Sequence, residues 1–197
     1  MSSAFYRLAI GASLSLLFAG CLRPQNGAPA NQAAQAAASQ APATKMEAFK
    51  PSAGSVVTFG YDPLGKVSNQ ISVDVREMRD AKGASVRGLV VDIAESQYRN
   101  ESSFVDADEI PELIKGFDAL LEVKENPTKF KQFEVRYTTR GQLVLTAFNT
   151  TAGAIRYSVK AGRLVGATAF VSAADMQNLR GLFDSASQKL VSLGSSK

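Results

Sequence analysis

The chain has 197 residues, of which 45% are hydrophobic and 20% charged, and its formal net charge is +4. It contains no histidine and one cysteine, which excludes a Ser-His-Asp triad, a histidine-ligated zinc site and a disulfide within the chain. The roughly 150 residues that follow the N-terminal segment are enough for one domain with a hydrophobic core.

Residues 1–21 have the layout of a secretion signal. Arg7 supplies a positive charge before an uncharged apolar stretch at residues 8–18, which is shorter than the roughly 20 residues a helix needs to cross a bilayer. The sequence Leu17-Phe18-Ala19-Gly20-Cys21 completes the segment. This pattern resembles the signal peptides of bacterial lipoproteins, whose final cysteine is lipidated. The alternative is an ordinary cleaved signal peptide with a cysteine at this place by chance.

The resemblance implies an anchor and an address. Residues 1–20 would be removed and Cys21 would carry acyl chains such as palmitate, so the first expected partner is a membrane. The protein would face the periplasm or the cell exterior. In this family an aspartate after the cysteine retains the protein at the inner membrane. Leu22 stands there instead, which implies the outer membrane in an organism that has two membranes.

Residues 22–45 are rich in alanine, glutamine and proline, and only two of them are charged. Such a segment cannot bury enough apolar surface to offset the conformational entropy lost on folding, which predicts a disordered tether. Together with the lipidated cysteine, this tether covers residues 21–45. A coil of this length spans about 25–30 Å on average. A single folded domain is predicted to follow at residues 46–197.

Alternating apolar residues predict the strands of this domain. The predicted strands cover residues 71–76, 86–93, 102–105, 133–137, 143–148, 155–159 and 164–171. Turns are expected at Gly83, Gly141, Gly153 and Gly162, because glycine reaches the positive φ values of tight hairpins. Residues 98–101 are predicted to be irregular, and the strand pairing of the first half stays open.

Two amphipathic helices are predicted, at about residues 108–123 and 173–193. Their apolar stripes consist of Ile110, Leu113, Ile114, Phe117, Leu120 and Leu121 in the first, and Met176, Leu179, Leu182, Phe183, Ala186 and Leu190 in the second. Asp106 and Ser172 are predicted N-caps, with Glu109 and Asp175 at the capping-box position three residues later. Pro111 favours a later start for the first helix.

The two helices belong to an internal repeat. Residues 103–118, SFVDADEIPELIKGFD, align without gaps on residues 169–184, AFVSAADMQNLRGLFD. The predicted fold class is therefore α+β, with antiparallel sheets built from two related units of three or four strands and a helix, at about residues 55–125 and 130–193. In element order this resembles the Whirly and PUR-type single-stranded nucleic-acid-binding folds, which pair two units of four strands and a helix.

Acidic side chains are concentrated before the first helix, at Asp106, Asp108, Glu109 and Glu112. They could hold Ca²⁺, but the glycine and the terminal glutamate of an EF-hand loop are missing from the spacing. Acidic residues in a first turn also complement the helix dipole, and this interpretation is preferred. Neither a metal ion nor a cofactor is predicted.

Charge is divided unequally between the two halves. Residues 46–126 contain nine Lys/Arg and fifteen Asp/Glu, whereas residues 127–197 contain ten and three. The preferred explanation is that the halves attract each other within one fold; the alternative is a basic face for an anionic partner. The candidate residues for polyanion contact are Arg136, Arg140, Arg156, Lys160 and Arg163.

Aromatic residues lie between these cations, at Phe133, Tyr137, Phe148 and Tyr157. Basic residues interleaved with aromatic ones can hold a nucleic-acid strand by phosphate contacts and base stacking. However, Phe133 and Tyr137 share the strand parity of Val135, so they are expected to face the core while the arginines face solvent.

The folded part contains no Ser-x-x-Lys, Gly-x-Ser-x-Gly or glycine-rich phosphate-binding motif. The chain is therefore predicted not to be an enzyme. We expect a lipid-anchored cell-envelope protein of unknown biochemical activity that binds or assembles with an envelope protein or an anionic surface. The alternative is binding of a polyanion or a single-stranded nucleic acid through the basic second half, with nucleic acid the less expected partner of an exported protein. An enzyme that uses only carboxylate, serine, lysine or tyrosine groups is the weakest hypothesis.

Overall fold

The computed structural model describes residues 42–49, 54–163 and 165–195. The predicted signal peptide, Cys21 and most of the predicted tether lie outside the described residues. The compact unit that holds the folded part begins at Pro42, four residues before the predicted boundary. The additional residues matter because Thr44 is buried and precedes a short helix, α1 (Lys45–Ala48).

Two four-stranded antiparallel sheets form the body of the domain, which confirms the predicted α+β class. The first sheet has the order β1 (Val57–Val67), β2 (Ile71–Asp80), β3 (Ser85–Ser96), β4 (Arg99–Asp106). The second has the order β5 (Glu134–Thr138), β6 (Val144–Asn149), β7 (Ile155–Ala161), β8 (Ala167–Val171). Helix α2 (Ile110–Leu121) follows the first sheet after a 3₁₀ turn (Ala107–Glu109), and helix α3 (Ala173–Ser195) follows the second.

The first sheet contains two stretches that the apolar pattern did not predict. Strand β1 was not predicted at all, and residues 99–101 are the start of β4 rather than irregular chain. Both stretches lack clean alternation, and β1 contains Pro63 at a register shift. Each is paired along its length with an apolar neighbour strand, for example Asp62 with Val75 and Glu101 with Ile93. Pairing with a buried neighbour therefore overrides the weak strand propensity of these residues.

The predicted cap of α3 is confirmed, whereas Asp106 precedes the 3₁₀ turn and not α2 itself. Before α3, the Ser172 Oγ accepts the N–H of Asp175 at 3.1 Å and the Ser172 N–H donates to Asp175 Oδ2 at 3.0 Å. Before α2, the Asp106 N–H donates to Glu109 Oε1 at 3.4 Å. Helix α2 itself begins at Ile110, because the 3₁₀ turn takes the residues between this cap and Pro111.

The helix of each repeat unit packs against the sheet of the other unit. Helix α2 of the first unit packs on the second sheet, where a side chain at Gly116 would lie 2.5 Å from the Tyr137 ring. Helix α3 of the second unit packs under β1, with Leu182 against Gly65. Phe117 and Phe183, which are equivalent in the repeat, meet with ring centroids 5.1 Å apart. One hydrophobic core therefore joins both units, and its largest buried side chains include Ile71, Leu89, Leu113, Leu145 and Leu179.

In the turn between β5 and β6, the residue with positive φ is not the predicted glycine, Gly141. Gly83, Gly153 and Gly162 have positive φ, as expected for tight turns. In the β5–β6 turn the positive φ, 61°, belongs to Gln142. Gly141 is instead pressed against the backbone carbonyl of Phe104, where a side chain would not fit. This contact joins the second unit to the end of β4.

Candidate functional site: the outer faces of the two sheets

Each sheet turns one face to the common core and the other outward, so the repeat creates two equivalent outer faces. Their correspondence follows from strand register. Phe104 pairs with Val90 in the first sheet, and the equivalent Phe170 pairs with Ser158 in the second. Since side chains alternate along a strand, the positions of Gly88, Val90 and Asp92 correspond to those of Arg156, Ser158 and Lys160. The two faces differ in both cover and charge.

The first outer face is covered on its β3 and β4 side by the chain itself, and we call it the sealed face (including Asp74, Arg76, Gly88, Val90, Asp92 and Phe104). Met46 of α1 is 2% exposed and forms a small apolar cluster with Met78 and Val90, with Phe104 packed against it. Met46 also touches Gly88, where no side chain would fit. Phe59 and Tyr61, on edge strand β1, remain exposed.

Hydrogen bonds fasten α1 in this position. The Thr44 Oγ1 accepts the N–H of Glu47 at 3.1 Å, and Glu47 Oε2 accepts the N–H of Thr44 at 3.2 Å, so the helix has a full capping box. The Lys45 N–H donates to both carboxylate oxygens of Asp106 at 3.0 Å. Asp106 is only 1% exposed, and hydrogen bonds to a buried carboxylate are among the stronger ones in proteins.

The charges of the sealed face neutralise one another. The Arg76 guanidinium donates to Asp74 at 2.9 Å and to Asp92 at 2.7 Å. It also lies 5.3 Å from the centre of the Tyr61 ring, a cation–π distance. Asp92 accepts a further hydrogen bond from the Ser102 hydroxyl. This face therefore offers a ligand little unpaired charge.

The second outer face is uncovered by the described residues, and we call it the open face (including Arg136, Thr146, Phe148, Ser158, Lys160 and Phe170). It forms a shallow concave groove of about 490 Å³, a volume within the usual range of ligand sites. Phe170 is 70% exposed, whereas its equivalent Phe104 is partly buried under α1. Phe148 lies edge-on to Phe170 with ring centroids 6.2 Å apart.

Positive charge dominates the open face. Arg136, Arg156 and Lys160 lie on it or at its Phe170 end, against one carboxylate, Glu134. Glu134 pairs with Arg136 at 2.6 Å. Within the part of the chain that the structure describes, neither Arg156 nor Lys160 has an ion-pair partner, so two cations remain available to an anion.

The five basic residues predicted to contact a polyanion thus separate into two groups. Arg136, Arg156 and Lys160 belong to the open face, and its two arginines point outward as strand parity predicted. Arg140 instead binds the acidic cluster before α2, at 2.6 Å from Asp108 and 3.2 Å from Glu109. Arg163 lies 3.4 Å from Glu47. Both of these arginines therefore fasten the second unit to the first and to α1.

The acidic cluster is accordingly a docking point within the fold. Burial raises the pKa of Asp108, but hydrogen bonds from Arg140 and Lys45 outweigh that effect and hold the pKa below its ordinary value. Among the described residues, no group of three or more His, Cys, Asp and Glu side chains is placed to hold a metal ion. The unequal charges of the two halves also meet where Arg180 pairs with Asp118 at 2.5 Å.

Several residues of the open face were not among the predicted candidates. They are Phe170 and the hydroxyl residues Thr138, Thr146, Ser158 and Thr168. The available signal was parity, because Ser158 alternates with the buried Tyr157 and Val159 along β7. Parity shows which residues point outward, but it does not show which outward face is left uncovered.

No described helix is both long enough and apolar enough to cross a membrane. Comparison with protein-family models, with curated proteins and with solved structures found no significant match.

Proposed function

We propose that this protein is a non-enzymatic binding module of the cell envelope, held on a membrane by acyl chains on Cys21, and that it binds its partner through the open face. The observation that carries the proposal is the contrast between two equivalent surfaces. One is covered on its β3 and β4 side by α1, and its charges are paired. The other is concave, exposes Phe170 and has two cations for which the described residues provide no ion-pair partner. Exposed apolar groups rimmed by charge typically mark interaction surfaces.

The composition supports a binding role over catalysis. The chain has no imidazole, and its one thiol belongs to Cys21, which the lipobox resemblance assigns to acylation. Among the described residues that line the groove of the open face, most carry hydroxyl, phenyl or cationic groups, and Glu134 is the one carboxylate. A general acid–base pair of carboxylates is therefore not available among these lining residues.

The anchor is tested by Cys21→Ser in cells supplied with labelled palmitate. We expect the wild type to incorporate the label and to fractionate with membranes, because several acyl chains anchor a protein stably. The variant should remain unlabelled and either unprocessed or soluble. Membrane fractionation of the wild type without any label would contradict lipidation.

The open face is tested by placing a photo-crosslinking residue at Thr168 in the full chain, in living cells. The matched control is Ser102, which occupies an outward position on the sealed face. We expect an adduct from position 168 and little or none from position 102. Equal adducts from both positions, or none from either, would refute the open face as the binding surface.

Nucleic acid remains the second candidate partner, favoured by the two phenyl rings and the three cations on one sheet face. Base stacking and phosphate contact together hold single strands on such surfaces. An exported, membrane-anchored protein rarely meets nucleic acid, so we rank this candidate below an envelope ligand.

A further inference from the structure

We infer that the ligand of the open face is an acidic polysaccharide, meaning a sugar polymer that carries carboxylate or phosphate groups. This inference deepens the proposed function and rests on it. Three properties of the face support it. An occupant like α1 does not fit, two cations have no ion-pair partner among the described residues, and hydroxyl groups line the groove beside an apolar platform.

The open face cannot take the kind of occupant that closes the sealed face. There, the missing side chain at Gly88 makes room for Met46, and the buried Asp106 accepts the first N–H of α1. On the open face the position of Gly88 is taken by Arg156, and the position of Asp106 is taken by Ser172. Arg156 would fill the space that an apolar side chain needs. Ser172 has a hydroxyl where Asp106 has a carboxylate, and this hydroxyl already donates to Asp175 within its own capping box.

The same correspondence shows that the open face suits an anion. Asp92 of the sealed face corresponds to Lys160, so a carboxylate is replaced by a cation at an equivalent place. Arg156 adds a guanidinium, whose planar fork matches the geometry of carboxylate and phosphate groups. Arg136 provides a third cation, partly offset by Glu134. Several anionic groups along a polymer would engage these cations together.

The space between the cations suits neutral parts of a sugar. The hydroxyls of Thr138, Ser158 and Thr168 line the groove, and hydroxyl groups both donate and accept hydrogen bonds, as sugar hydroxyls do. Phe148 and Phe170 form one apolar corner, with ring planes at 75°. That corner can receive the apolar C–H face of a single sugar ring.

A single-stranded nucleic acid fits the same surface less well. Sequence-tolerant strand binding uses a series of aromatic platforms on which successive bases stack. Among the described lining residues of the open face only Phe148 and Phe170 are aromatic, and they pack edge to face against each other. They offer one platform rather than a series, and four of the other lining residues carry hydroxyl groups.

The inference is tested with the full chain purified in detergent, by measuring its binding to immobilised polygalacturonate, dextran and an oligothymidylate over a salt series. We expect binding to polygalacturonate that weakens with salt, and no binding to the neutral dextran. Arg156→Gln with Lys160→Gln should weaken binding to polygalacturonate roughly tenfold or more and flatten its salt dependence. The charge-matched control, Lys124→Gln with Lys129→Gln, changes two exposed cations that do not line the open face and should have little effect.

Phe170→Ala separates the apolar contact from the ionic one. It should weaken binding to polygalacturonate while leaving the salt dependence unchanged, because the phenyl ring carries no charge. Equal losses in the Arg156/Lys160 and Lys124/Lys129 variants would overturn the assignment of the site. Tighter binding of the oligothymidylate than of polygalacturonate would overturn the ligand class in favour of nucleic acid. If the acidic glycan does not bind while position 168 still crosslinks in cells, the ligand class is wrong and the proposed function stands; if both fail, both are wrong.

Discussion

Gly116→Ala and Gly181→Ala are expected to change the stability of the domain differently, although each replaces a glycine inside a helix. Alanine in a helix interior is about 1 kcal/mol more favourable than glycine, and this gain is common to both variants. At Gly181 a new Cβ meets nothing within 4 Å, so the gain should appear in full. At Gly116 the new Cβ would lie 2.5 Å, 2.7 Å and 2.9 Å from three atoms of the Tyr137 ring.

The overlap at Gly116 includes Cγ at the base of the Tyr137 ring, and this ring packs against the main core, so relief of the overlap requires a shift of packed atoms. Such overpacking typically costs about 1–3 kcal/mol. Because the propensity gain is shared, the difference in free energy of unfolding between the two variants should equal this cost, about 1–3 kcal/mol. For a domain of this size that difference corresponds to roughly 2–12 °C in Tm.

Equilibrium unfolding in urea measures the free energy of unfolding of each variant. A double-mutant cycle with Tyr137 then shows whether the Tyr137 ring causes the difference between them. In a Tyr137→Ala background the ring is gone, so Gly116→Ala should become stabilising by about 1 kcal/mol. If Gly116→Ala in the native background stabilises as much as Gly181→Ala does, then α2 does not pack on the second sheet as described, and the exchange of helices between the two units is wrong.

Two further predictions concern the ion pair between the helices and the docking of α1. Hydrogen bonding to Arg180 lowers the pKa of Asp118 below 3.8, so the stabilisation from the Asp118–Arg180 ion pair is complete above that pH and disappears as the pH falls further. Arg180→Gln should therefore reduce the loss of unfolding free energy in acid, whereas Lys124→Gln should not. Urea titrations at about pH 6 and about pH 3 measure that loss in each variant. Met46→Ala removes a buried side chain from the small apolar cluster under α1, which is separate from the main core. Amide exchange at Lys45 should therefore accelerate, while the global free energy of unfolding should fall by less than the about 2–5 kcal/mol expected for Met176→Ala in the main core. Unchanged exchange together with a full global loss in Met46→Ala would contradict the docking of α1 as a separate step.

Local patterns were sufficient for much of the secondary structure. The apolar stripe of α3 has the helical spacing, and Ser172 with Asp175 forms the capping box that their spacing predicted. The ungapped repeat of residues 103–118 and 169–184 indicated two related units, which the two four-stranded sheets confirm. These features succeed because each depends on residues within a few positions of one another.

The sequence by itself thus determined the α+β class, the repeat, the cap of α3 and the outward parity of Arg136 and Arg156. Only the tertiary structure decided that Arg140 binds Asp108 and that α1 closes one of two equivalent faces. The physical reason is that parity assigns a side chain to one side of a sheet, whereas cover and ion pairing depend on segments distant in the chain. Lys45 and Asp106 are separated by 61 positions, yet their contact helps to hold α1 on the sealed face while the open face remains exposed.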